Sequence, residues 1–146
     1  MWLELMMINP NTLMKSVLKY FVLIGFIILP FACAQQSNIN LISVEELKSK
    51  MQNDSSLVIL DVRNPEELSG PLGKLDGVIN IPVQELEDRL SELEKYRNSE
   101  IEVICRTGRR SGIATKLLIE NGYDARNVVG GMVEFRQREH VSQSAK

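Results

Sequence analysis

The 146-residue chain carries 17 Lys and Arg, 19 Asp and Glu, one His and two Cys. A net charge of −2 excludes a nucleic-acid binder held by bulk positive charge, and 44% hydrophobic with 25% charged residues is globular composition, not disordered. Two Cys and one His cannot fill a four-ligand Cys/His zinc site. His140 lies in a polar tail, so a nucleophile here is expected to be activated by something other than histidine.

Residues 21–34, FVLIGFIILPFACA, form an uncharged run preceded by Lys15 and Lys19. The run is shorter than the roughly 20 apolar residues a bilayer-spanning helix needs. A basic flank, a short apolar run and small residues at its end describe an export signal over residues 1–34. Two processing routes stay open: cleavage before Gln35 at Ala32-Cys33-Ala34, or lipidation of Cys33. An uncleaved N-terminal anchor is the third reading. Met14-Lys15-Ser16 reads as a more natural start than Met1. The segment 35–146 then has 112 residues, enough for one core, and a net charge of −3. It holds a single core thiol, Cys105, and no internal disulfide is available to it. The protein is expected to be exported, periplasmic or envelope-anchored, and to meet the membrane only through the signal or a lipid on Cys33.

The rest of the chain alternates strand and helix. Ile39–Ile42 suits a first strand, and Ser43 with Glu46 makes a capping box that opens a helix to about Gln52. Leu57–Leu60, ending in Asp61, reads as a strand buried on both faces. Asn64-Pro65 starts a turn with a helical turn over Pro65–Leu68, and residues 69–77 read as loop. Val78–Ile81 is a further strand stopped by Pro82. Val83, Leu86, Leu90 and Leu93 then mark one stripe of a helix whose acid-rich remainder, over 84–95, is a solvated face. Ile101–Ile104 is a strand running into Cys105. Ser111 is expected to cap a helix with Ile113, Ala114, Leu117 and Leu118 inward, ended by Asn121-Gly122. Val128-Val129 is the last strand, followed by Gly130-Gly131 and a terminal helix. Such alternation predicts an α/β fold with a largely parallel sheet and helices on both faces.

One loop carries the chemistry. A buried strand delivers Cys105 to its carboxyl end, where ligands bind in open α/β sheets. The loop 105–110 precedes a helix N-terminus, whose free N–H groups make an anion pocket, and Gly108 lets the backbone turn. Arg106, Arg109 and Arg110 add positive charge, and no acid occurs from Cys105 to Ile119. This field favours a thiolate and gathers small anions, so nucleophilic attack by sulfur on an anionic substrate is expected. Asp61 and Arg63 read as loop organisers that bond to their neighbours, in preference to an acid/base set with Glu66 and Glu67. Tyr96 and Tyr123 read as aromatics at the core edge.

The segment CRTGRRS from Cys105 resembles the active-site loop of the rhodanese-like sulfurtransferases. LDVRNPEEL from Leu60 with GVINIP from Gly77 is similar to that family's upstream signature, and VVGGMVEF from Val128 to its C-terminal one. The resemblance spans about residues 39–136, and within the family it is nearest to small exported single-domain bacterial members. It implies a three-layer α/β domain with a central, mainly parallel five-stranded sheet. Carried onto this chain, it implies that Cys105 takes a sulfane sulfur from a donor such as thiosulfate and holds it as a persulfide. Backbone N–H groups of Arg106, Thr107, Gly108, Arg109 and Arg110 would hold that sulfur, and the three arginines would recruit the donor. Cyanide or a cellular thiol would accept the sulfur, and no metal or organic cofactor would be required. Two places depart from the family's pattern: Gly73-Lys74-Leu75 where Gly-His-Ile is frequent, and Phe135 where Trp is. Two rival functions follow from the same residues. One is a persulfide carrier or binding module without turnover. The other is a fold-related phosphatase or arsenate reductase, whose C-x5-R loop would place arginine at Ser111 instead of Arg110.

Overall fold

A computed structural model describes residues 40–144. The predicted export signal with Cys33, the start at Met14 and the first residue of the predicted first strand, Ile39, lie outside the described residues. The elements are β1 (Leu41–Ile42), α1 (Val44–Asn53), β2 (Val58–Asp61), α2 (Pro65–Leu68), β3 (Ile79–Asn80), a 3₁₀ helix (Leu90–Tyr96), β4 (Glu100–Ile104), α3 (Arg109–Glu120), β5 (Asp124–Val128) and α4 (Gly131–Ser144).

The five strands form one sheet in the order β1-β5-β4-β2-β3, and every pairing is parallel. Leu60 lies opposite Val103, and Ile101 opposite Ala125. Successive side chains of a strand point to opposite faces, so the continuous apolar runs feed two cores. On one face Leu60, Val103 and Ala125 pack with Ala114 and Leu118 of α3 and with Leu86 and Leu93. On the other, Ile59, Ile104 and Val128 pack with Leu47 of α1 and with Met132 and Phe135 of α4. The result is the three-layer α/β sandwich that the alternation predicts.

Three local readings are corrected. The stretch after Pro82 is not an α-helix: turns lead into the 3₁₀ helix, and its ladder uses three-residue bonds such as Glu92 N–H to Arg89 O and Arg97 N–H to Glu94 O. Leu90, Leu93 and Tyr96 recur every third residue, which matches three residues per turn, and Leu93 is buried by it. Arg89 clamps the exposed side by pairing with Glu85 and Glu92. The helix after Cys105 starts earlier than predicted, at Arg109, with Gly108 as its N-cap and Ser111 inside its first turn. That phase puts Ser111, Ala114, Thr115 and Leu118 on the inner stripe and leaves Ile113 60% exposed, not inward. The last strand is longer than Val128-Val129 and ends at Val128, with Val129 in the open.

The Ser43 hydroxyl accepts from the Glu46 N–H at the start of α1. The rest of the docking of α1 is ionic as well as apolar. Glu102, fully buried in β4, accepts from Lys50 of α1 at 2.8 Å and from Arg126 of β5 at 2.9 Å. Burial pushes its carboxyl up, against the pull of those two cations. In the sequence this residue is an acid flanked by Ile101 and Val103, and only the packing of three elements supplies its partners.

Candidate active site

Cys105 follows β4 directly and is 1% exposed. Its sulfur sits in the mouth of the loop that turns into α3. Gly108 makes that turn with φ +95°, a conformation strained for residues with a side chain. A Cβ at Gly108 would also press on Gly130 N at 3.3 Å and Val128 O at 3.4 Å. The Gly108 N–H donates to Cys105 Sγ at 3.2 Å, and Ser111 Oγ lies 3.3 Å from the same sulfur. Ser111 Oγ also lies 2.6 Å from Asn127 Oδ1 of β5. One hydroxyl proton serves both neighbours, and a charged thiolate is the stronger acceptor.

Burial acts on the Cys105 thiol to raise its pKa, but hydrogen bonds from the Ser111 side chain and from the backbone of Ser111, Thr107 and Gly108 outweigh it. The net direction is down. The dominant cause opposing burial is the ring of N–H and O–H donors, and not the arginine charge to which the sequence points. Ser111→Ala removes the side-chain donor, so the Cys105 pKa is expected to rise. A hydrogen bond to a charged acceptor is worth about 1.5–3 kcal/mol, so the pH profile of iodoacetamide alkylation is expected to move clearly to higher pH. An unmoved profile would remove Ser111 from the thiolate's support.

A second layer fixes the loop from behind. The first N–H groups of α4 are turned onto it: Met132 N–H donates to Cys105 O at 2.9 Å and Val133 N–H to Arg106 O at 3.0 Å. Gly131, at φ +56°, makes this approach possible, since a Cβ there would stand 2.5 Å from Cys105 O. Gly131 therefore serves the cysteine loop, a link between distant segments that the sequence does not display.

The arginines separate into two kinds. Arg106 and Arg109 are exposed, and neither guanidinium has a side-chain partner among the described residues. Arg110 is half-buried and held by Glu67 of α2 through two hydrogen bonds of 2.6 and 2.8 Å. The Arg110 guanidinium in turn holds the Glu67 carboxyl below its usual range. This acid comes from 43 residues upstream, so the acid-free run 105–119 does not leave Arg110 unneutralised. Asp61 and Arg63 are fully buried and joined to each other, with Arg63 Nη2 2.6 Å from Asp61 Oδ2. Arg63 also donates to Gly73 O at 2.8 Å, tying the 69–77 loop to the end of β2. Asn80 of β3 completes the joint by donating to Asp61 O and Arg63 O. Glu67, Asn127 and the α4 N–H groups are the contributors that the sequence reading did not identify. Glu67 stood only as one of two adjacent acids, and Asn127 carried no signal.

The rhodanese-like domain model matches residues 43–138. YrkF of Bacillus subtilis, to which a sulfur-carrier role is provisionally assigned, is 43% identical over 100 residues, 68% of this chain and 52% of YrkF. This chain thus matches only about half the length of that relative. The thiosulfate sulfurtransferase PspE of Escherichia coli is 36% identical over 76 residues, 52% of this chain and 71% of PspE. A crystal structure of a rhodanese-like domain protein from Staphylococcus aureus superposes with a TM-score of 0.61 at 32% identity, covering 66% of this chain and 91% of that one. The family model spans well over half of the sequence, and the chain belongs to the rhodanese-like domain family.

Proposed function

We propose that this protein is a thiosulfate-type sulfurtransferase that carries a sulfane sulfur as a persulfide on Cys105. The observation that carries the reading is the sulfur itself. It is delivered by β4 to a loop whose Gly108 N–H and Ser111 hydroxyl both point at it, at 3.2 and 3.3 Å. In the first half-reaction the Cys105 thiolate attacks the outer sulfur of thiosulfate. A new S–S bond forms, the bond to the sulfonate sulfur breaks, and sulfite leaves with that electron pair. The N–H groups of residues 106–110 then hold the negative outer sulfur. In the second half-reaction a thiophilic acceptor, cyanide or a thiol, takes that sulfur and returns Cys105 as thiolate. Ping-pong kinetics follow from this order.

The exposed Arg106 and Arg109 draw the dianionic donor to the loop, whereas Arg110 is committed to Glu67. Arg109→Ala is expected to raise the thiosulfate KM about fivefold, as suits one exposed charge, with little change in kcat. The effect should shrink as salt is added, because the charge is screened. A salt-independent KM equal to wild type would take Arg109 out of donor recruitment.

Intact mass spectrometry before and after thiosulfate, and again after cyanide, tests the reading. A gain of one sulfur on Cys105 that cyanide removes is the expected result. A free, unmodified thiol in folded protein would overturn it. The sulfur-carrier reading has one observation in its favour: Cys105 is 1% exposed, so transfer could be reserved for a dedicated protein partner. In that case the mass gain appears but cyanide removes it only slowly. We also propose export of the protein, from the basic and apolar character of residues 15–34.

A further inference from the structure

A hollow of about 270 Å³ opens beside the cysteine loop. Pro71, Leu72 and Val133 make its apolar walls, and Arg63, Glu67 and Arg106 supply its charges. Two of those charges are already answered. Arg63 is bound to Asp61, and Glu67 to Arg110. Arg106 has no side-chain partner among the described residues, so the hollow presents one unneutralised cation.

Its walls are held in place. Arg136 Nε donates to Leu72 O at 2.7 Å, Arg63 Nη2 to Gly73 O, and Val133 N–H to Arg106 O at 3.0 Å. Arg106 is also the residue next to Cys105, so the hollow and the sulfur share one loop. Thiosulfate is a poor occupant, because a small dianion needs hydrogen-bond donors on all sides and the apolar walls offer none. An organic body carrying one carboxylate satisfies both halves: its carbon skeleton lies on Leu72 and Val133, and its carboxylate meets the Arg106 fork.

We propose that this hollow is the sulfur-acceptor site and that it selects small thiols bearing a carboxylate. The assignment rests on the sulfur-transfer reading of Cys105. The acceptor loses its thiol proton to solvent, and its thiolate attacks the outer sulfur of the persulfide. A new S–S bond forms to the acceptor, the bond to Sγ breaks, and its electron pair returns to Cys105 as thiolate. No external oxidant or reductant is needed.

The test uses the full chain loaded with excess thiosulfate and compares N-acetylcysteine with its amide. The two share a body and a thiol and differ in the carboxylate. Wild type is expected to favour the acid about fivefold in kcat/KM, and Arg106→Gln to abolish that preference. Val133→Trp fills the hollow, so the ratio of kcat/KM for N-acetylcysteine to that for cyanide should fall about tenfold. Leu72→Trp is the second variant, with circular dichroism verifying the fold of each. Equal rates with acid and amide, or an unchanged ratio in both tryptophan variants, would overturn the acceptor site while leaving the persulfide intact. Absence of any persulfide in the mass spectrum would instead remove the reading on which the site rests.

Discussion

Cys105→Ser is expected to reduce sulfur transfer from thiosulfate to cyanide by about four orders of magnitude, to the limit of detection, as removal of a nucleophile does elsewhere. A serine hydroxyl is not ionised at neutral pH, and alkoxide oxygen is a poor partner for sulfane sulfur. The fold should survive, because serine is slightly smaller and enters a site already furnished with donors. Gly108 N–H and the Ser111 hydroxyl face that position. Moving a hydroxyl into the cluster around Leu60 and Val103 is expected to cost about 1 kcal/mol, less than most damaging core changes. Thiocyanate formation and the thermal midpoint, read on the same preparation, decide the matter. Turnover near wild type would end the persulfide mechanism. A collapsed midpoint would show that the sulfur's role is packing first.

The second large effect is on stability. Arg63→Leu is expected to destabilise the protein by about 3–5 kcal/mol, the range for breaking a buried ion pair from one side. Both partners are 0% exposed, so the variant leaves the Asp61 carboxylate buried and unpaired. It also removes the anchor on Gly73 O, and with it the tie between β2 and the 69–77 loop. Urea unfolding measures the loss. The double variant Asp61→Asn with Arg63→Leu separates the causes, since it removes the stranded charge but not the missing loop anchor. A single-variant loss under about 1 kcal/mol would mean that Asp61 finds other partners or water. Such a result would make the pair a minor feature of the fold.

Much of the architecture is legible along the chain. Leu57–Leu60 is an apolar run and Ile101–Ile104 is one broken only by Glu102, and both supply central strands buried on two faces. The strand-then-cysteine-then-glycine order places Cys105 at the carboxyl end of a central strand, where the structure has it. After Pro82, Val83, Leu86, Leu90 and Leu93 are spaced as an α-helix would have them, but Leu90, Leu93 and Tyr96 also recur every third residue, and spacing over so short a stretch cannot separate the two ladders. The phase of α3 departs from the sequence expectation because of its cap. Serine is a good N-cap, but here the loop carries a glycine at positive φ three residues earlier, and the helix begins there.

The sequence by itself determined the parallel α/β order, the position of Cys105 and the cationic character of its loop. Each depends on neighbours within a few residues: alternation of apolar runs, a glycine at the turn, arginines beside the thiol. Only the tertiary structure decided what those groups experience. It set Glu67 against Arg110, Ser111 and Asn127 beneath the sulfur, and the α4 N–H groups behind the loop. It also closed the hollow at Leu72 and Val133. These contacts join residues tens of positions apart, and a hydrogen bond or a charge acts over ångströms of space, which separation along the chain does not encode.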